Sequence, residues 1–221
     1  MASESEKLPL GLMIPAMPAG HEIPPEPPDV GARALAVASR LLCGATTFFF
    51  IAFAFAYFYL RSINQDHMWR PAHLHPNQGL GAAFIACIVL SAALAIVAGR
   101  QMKSGSSSWI ALAAGGVVFG LIAISLQCVE YTVEHFGPTN GAFASVFCAW
   151  TAFYLIAVLL TMYWLETQVA TEFRARRAPA SSGGDIENPD HLIAPGLDAA
   201  VFYWVFLAAI GVVTYVTLYL L

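Results

Sequence analysis

Charge is scarce in this sequence. Asp, Glu, Lys and Arg make up 11% of 221 residues against 58% for the hydrophobic types, too little polar surface to wrap a water-soluble domain of this size. Histidine is absent from the apolar runs: His21, His67, His73, His75, His135 and His191 all lie outside them. A haem iron or copper held by imidazole inside a membrane needs that residue on the helices, so none is expected to be held by this chain. The four cysteines, Cys43, Cys87, Cys128 and Cys148, sit inside apolar runs with no CxxC spacing. That pattern speaks against a disulfide frame or a zinc site and leaves small packing residues. No P-loop, HExxH, GxSxG or dinucleotide-binding glycine pattern occurs, so nothing marks an independent enzyme. No basic block occurs either, and a net charge of −4 gives no reason to expect nucleic acid.

What the chain does have is five long apolar runs, at 41–60, 81–99, 109–129, 142–165 and 199–221. Each is close to the roughly 20 residues of helix that cross a hydrocarbon core. They lack strand-like alternation, and a helix satisfies its own backbone where there is no water. The expected fold is therefore all-α, a polytopic bundle of five transmembrane helices. Residues 1–40 are expected to form an arm before a 41–221 membrane domain. Seven prolines between Met1 and Arg33 favour an extended segment lying on a partner or in water. This stretch also lacks the charge, core and cleavage pattern of a secretory signal, so the first span is expected to stay in place.

Cations set the expected topology. With the N-terminus inside, that side collects Lys7, Arg33, Arg40, Arg100, Lys103, Arg174, Arg176 and Arg177, and only Arg61 and Arg70 face out. This is a positive-inside bias, and it places the C-terminus outside. The first span is rich in Phe, with Ala45, Ala52 and Ala56 as a small strip. Ser91, Ala95 and Gly99 in the second span, and Gly116 and Gly120 in the third, offer faces for close helix contact. The loop 62–79 holds Asp66, His67, Trp69, His73 and His75. These could ligate a metal, but a proline-broken loop packed on a neighbour explains them better. After the third span, Gly137 and Pro138 break the helix and Thr139 or Asn140 is positioned to cap the next. The third and fourth spans are then antiparallel neighbours.

Ionisable groups in a span are costly, about 2.5–3.5 kcal/mol at the centre on insertion scales, and the span centres carry none. Glu130, one turn from Gln127, is the one candidate. It is expected near the outer interface, bonded to Gln127 or to the start of the fourth span.

Three stretches resemble subunit III of the haem-copper respiratory oxidases. AFAYFYLR, Ala54 to Arg61, follows the pair Phe49 and Phe50 as in the first conserved helix of that family. LQCVEY, Leu126 to Tyr131, is similar to its Gln-x-x-Glu-Tyr pattern. GAFASVFCAWTAFYLIAVLL, from Gly141, resembles the helix that follows. The resemblance extends from about Leu41 to Leu221, fits the short five-helix form, and is most specific between Leu126 and Phe153.

It implies a non-catalytic subunit that stabilises subunit I, binds phospholipid, and holds no cofactor or metal of its own. Haem and copper are then expected in partner subunits I and II of a proton-translocating oxidase in a bacterial inner membrane. Gln127, Glu130 and Tyr131 match the family's pattern, as do Thr151 and Phe153 at packing positions; together they form a candidate polar, lipid or packing site. The sequence departs from the family at Thr46, where a glutamate is usual, and at Tyr154 and Ala157, which stand for two histidines. It departs again at Asp198 and Val201, where the last helix usually opens with His and Asp. Two other readings stay open: a subunit III-like accessory protein of a nitric oxide reductase, or a small oligomeric transporter with Gln127 and Glu130 lining its path.

Overall fold

The structure, a computed structural model, describes residues 28–64, 69–71, 74–177 and 190–221. Five helices follow one another: α1 (Pro28–Ile63), α2 (Gln78–Lys103), α3 (Trp109–Val133), α4 (Ala142–Arg177) and α5 (Asp190–Tyr215), the last running into a single π-helical turn (Val216–Leu220). All five are long and apolar enough to cross a membrane, and no strand occurs among the described residues. The all-α, five-span expectation holds, and this is a multi-pass membrane protein by architecture.

Helix limits differ from the apolar runs because hydropathy marks only the part that lipid can cover. α1 begins at Pro28 rather than Leu41, so residues 28–40 belong to the helix and not to an extended arm. Proline suits a first helical position, Asp29 stands in the first turn, and Asp29 and Arg33 close an i,i+4 ion pair of 2.7 Å. The alanines that follow need no further reason to stay helical. α4 likewise continues past Leu165 to Arg177, and α5 starts at Asp190 rather than Ala199. Residues 1–27 of the expected 1–40 arm, the ligand candidates Asp66, His67 and His73, and residues 178–189 of the last inter-span segment lie outside the described residues.

α5 is the hub, with α1, α2 and α4 all packed on it, while α2 and α3 share the longest interface. The small-residue faces expected on α2 and α3 are spent inside this chain. Ser91, Ala95, Gly99, Gly116 and Gly120 are all buried. Ser91 Oγ donates to Gly116 O at 2.6 Å and accepts from Trp204 Nε1 at 3.1 Å, joining α2, α3 and α5 at one point. A Cβ on Gly116 would meet Ser91 O at 3.2 Å, and one on Gly120 would collide with Met162 of α4.

α1 is the peripheral helix, packed on α5 and α4. Ser39, Thr46, Phe50 and Tyr57 face inward, whereas Ala45 and Ala52 of the expected small strip are exposed. Cys43, Cys87 and Cys148 pack against the core; Cys128 faces outward, and all four are free thiols.

Two ends are distinguished by charge. Arg40, Arg100 and Lys103 mark the basic end, where Lys103 and Asp198 pair at 2.8 Å between α2 and α5. The other, hairpin end carries the α3–α4 turn. There Gly137 N–H donates to Asn140 Oδ1 at 2.7 Å and Asn140 N–H to Gly137 O at 3.0 Å, and Gly141 has φ 137°. Asn140 thus closes the turn rather than capping α4. The Ser145 hydroxyl donates toward Pro138 O and Gly141 O at 2.5 and 2.9 Å and so ties the first turn of α4 to the loop before it.

Candidate functional site

The hairpin end holds the buried polar cluster. Gln127 and Glu130 are i,i+3 neighbours, so both side chains leave one face of α3. That face is inward, with exposures of 2% and 1%. Gln127 Nε2 donates to Glu130 Oε2 at 2.7 Å. From the far end of the chain, Tyr219 OH donates to the same carboxylate, 2.8 Å from each oxygen. Glu130 is therefore bonded to Gln127, as expected. It is buried inside the bundle near the end of α3, and its hydrogen bonds go to Gln127 and Tyr219 rather than to the start of α4.

Tyr219 reaches Glu130 through the π turn, which places one more residue in the turn than an α-helix would. Its ring lies where a Cβ on Gly81 of α2 would be, so that position has room only for glycine. Phe147 meets the ring edge-on at 5.5 Å, and Gln78 Nε2 donates to Tyr219 O at 3.2 Å. Nothing in the sequence around Tyr219 pointed to this contact. It depends on a helical irregularity and on two segments 89 residues apart.

Tyr131 and Thr151 form a second strut beside the first. Tyr131 OH donates to Thr151 Oγ1 at 2.8 Å, and Thr151 Oγ1 donates to Phe147 O at 2.7 Å, tying α3 to α4. Between the two struts lies a cavity of about 10 Å³, lined in part by Gln127, Thr151, Tyr154, Thr214 and Tyr219. Its size is at the lower limit for one water. Gln127, Glu130, Tyr131 and Thr151 are thus brought together, with the acid buried and held by fixed donors.

Phe153 belongs elsewhere. It faces α1, with its ring 4.8 Å from Phe49, 5.6 Å from Phe50 and 5.7 Å from Phe53. It also lines an apolar groove of about 270 Å³ between α1 and α4, whose polar contribution includes Thr46 and Tyr203, hydrogen-bonded to each other at 2.9 Å. Most of its lining is apolar, from Leu42, Ala45, Phe49, Ile156 and Leu160 among others.

The positions that depart from the oxidase pattern are occupied structurally. Tyr154 OH donates to Leu207 O at 2.9 Å, tying α4 to α5, and its oxygen fills the place of a Cβ on Gly211. Asp198 makes the Lys103 ion pair already described. In the 62–79 loop, Trp69 is buried between Tyr57 at 5.2 Å and Phe143 at 5.7 Å, and Leu74 is buried too. The described part of this loop therefore packs on its own bundle. Arg70 lies over the Phe143 ring at 4.8 Å. Burial pulls its pKa below the ordinary arginine value; Tyr57 opposes the shift and Arg61 adds to it.

No protein-family model matches this chain, and no curated protein matches it.

Proposed function

We propose that this chain is a non-catalytic integral subunit, of the subunit III type, of a haem-copper terminal oxidase in a bacterial inner membrane. It stabilises the catalytic subunit I and binds phospholipid; haem, copper and proton translocation belong to the partner subunits. Its basic end faces the cytoplasm, by the charge bias of the loops.

The observation that carries the reading is the convergence of Gln127, Glu130, Tyr131 and Thr151 at one end of α3 and α4. These residues were singled out by resemblance to the oxidase pattern, and here they form two adjacent inter-helix struts. A structural subunit needs such a fixed clamp. A carrier needs an acid that opens to solvent, and Glu130 is 1% exposed with donors on both carboxylate oxygens. The groove at Phe153 is the candidate seat for a phospholipid acyl chain.

The test is purification of the tagged chain in mild detergent, followed by a visible spectrum and subunit analysis. Haem bands with larger membrane subunits in fixed ratio are the expected result. A colourless protein alone or as a homo-oligomer removes the oxidase reading, and co-purification with a nitric oxide-reducing complex moves the chain to that relative.

A further inference from the structure

Among the described residues, three buried side-chain polar atoms lack a hydrogen-bond partner: Tyr57 Oη, Trp69 Nε1 and Arg70 Nε. All three lie in one place, at the hairpin end. The Trp69 ring stands perpendicular to those of Tyr57 and Phe143, and the Arg70 guanidinium lies over Phe143. Arg61, one turn beyond Tyr57 on α1, has its guanidinium 6.0 Å from the Tyr57 ring. Tyr57 is 0% and Trp69 8% exposed, whereas Arg61 is exposed and Arg70 partly so. Elsewhere in this bundle buried indoles are bonded: Trp150 donates to Thr214 and Trp204 to Ser91. The unbonded Trp69 is the exception.

The chemistry of these groups states what they need. An indole N–H and a guanidinium N–H only donate, and a buried donor without an acceptor is costly and rare in native structures. Their partner is therefore an acceptor with several lone pairs. It is also an anion, because Arg61 and Arg70 have no carboxylate at ion-pair distance among the described residues. Depth identifies which anion. The apolar run 41–60 spans about 30 Å as a helix, the thickness of the hydrocarbon core. Arg61 stands where that run ends, at the level of phospholipid phosphates, with the amphipathic rings of Tyr57, Tyr59 and Trp69 around it as at a membrane interface. Guanidinium forks match the several oxygens of a phosphate.

We propose that Tyr57, Arg61, Trp69 and Arg70 bind the phosphate group of a phospholipid in the leaflet at the hairpin end. The two guanidinium groups meet the charge from the headgroup side, and Trp69 and Tyr57 supply the inner donors. This site shares no residue with the groove at Phe153. The inference deepens the phospholipid part of the proposed function and uses nothing of its oxidase part.

The test is a proton–nitrogen correlation spectrum of the isotope-labelled full chain in maltoside micelles, which hold no phosphate. It is read at the Trp69 indole N–H and the Arg70 Nε–H. Dioleoylphosphatidylglycerol, dioleoylglycerol and inorganic phosphate are titrated in separately. Both signals should move downfield and saturate with the phospholipid, and stay in place with the diacylglycerol and with inorganic phosphate at the same concentration. Arg61→Gln, at an exposed position, should raise the phospholipid concentration needed by about tenfold. Tyr57→Phe should weaken binding too, while leaving the lipid-free melting temperature unchanged or higher, because it removes an unbonded hydroxyl. No saturable shift, an equal shift with the diacylglycerol, or a lower lipid-free melting temperature for Tyr57→Phe overturns the inference. So does a response of both signals to Asp66→Asn without lipid, which gives the donors to the chain's own acid. Saturation by inorganic phosphate at equal concentration keeps a phosphate site and removes the lipid as its source. Trp164 lines the Phe153 groove, so a shift confined to its indole keeps acyl-chain binding there and removes this site. A haem-free purification removes the oxidase reading and leaves this site untouched.

Discussion

Replacing Tyr219 by Phe removes a single oxygen and leaves the Glu130 carboxylate, 1% exposed, with Gln127 as its remaining side-chain donor. The ring still fills the space above Gly81 and still meets Phe147, so packing is unchanged and the effect isolates the hydrogen bond. Inter-helix hydrogen bonds in membranes average about 0.6 kcal/mol and reach about 1.7, while those to charged groups run about 1.5–3 kcal/mol. Tyr219 OH faces both carboxylate oxygens at 2.8 Å in a water-poor site, which puts the loss near about 1.5 kcal/mol. The assay is a reversible unfolding titration of the purified chain in mixed micelles, run as a cycle of Tyr219→Phe, Glu130→Gln and the double variant. Because the two side chains share one interaction, the double variant should cost about 1 kcal/mol less than the sum of the singles. Additive losses, or a Tyr219→Phe loss below about 0.3 kcal/mol, refute the claim that this contact holds the end of α5 to α3.

Under the proposed oxidase role, Glu130→Gln should leave assembly and oxygen reduction largely unchanged, since the acid acts as a clamp; severe loss of turnover in an assembled complex contradicts this. Gly211→Ala drives a methyl group into Tyr154 and should cost about 1–3 kcal/mol. Tyr154→Phe should recover part of that loss by removing the oxygen in the way, as the same unfolding titration will show. Ser91→Ala strands the Trp204 indole N–H in the core and should cost about 1–3 kcal/mol, visible also as a shift in tryptophan emission. Asp198→Asn should cost less than about 1 kcal/mol, because the pair with Lys103 is about half exposed.

The spans were legible because lipid imposes one requirement, about 20 apolar residues with every backbone group bonded within the segment. A one-dimensional pattern records that fully. The Gln127–Glu130 pair was also legible, since i,i+3 neighbours on a helix meet whatever the rest of the fold does. Helix ends were not. Beyond the hydrocarbon, continuation of α1 back to Pro28 and of α4 to Arg177 depends on propensity and local ion pairs, to which hydropathy is blind.

By itself, then, the sequence determined a five-span helical membrane protein with a hairpin between α3 and α4 and one acid near it. Only the tertiary structure decided that the acid is buried in the bundle and clamped to α5. Its main partner, Tyr219, arrives from 89 residues away through a π turn, and its position relies on the missing side chain of Gly81. Tertiary packing likewise separated Phe153 from the polar residues near it in sequence and turned it toward α1. Contacts between distant segments depend on helix rotation and on the volume left by neighbours, and neither is encoded in the spacing of residues along one helix.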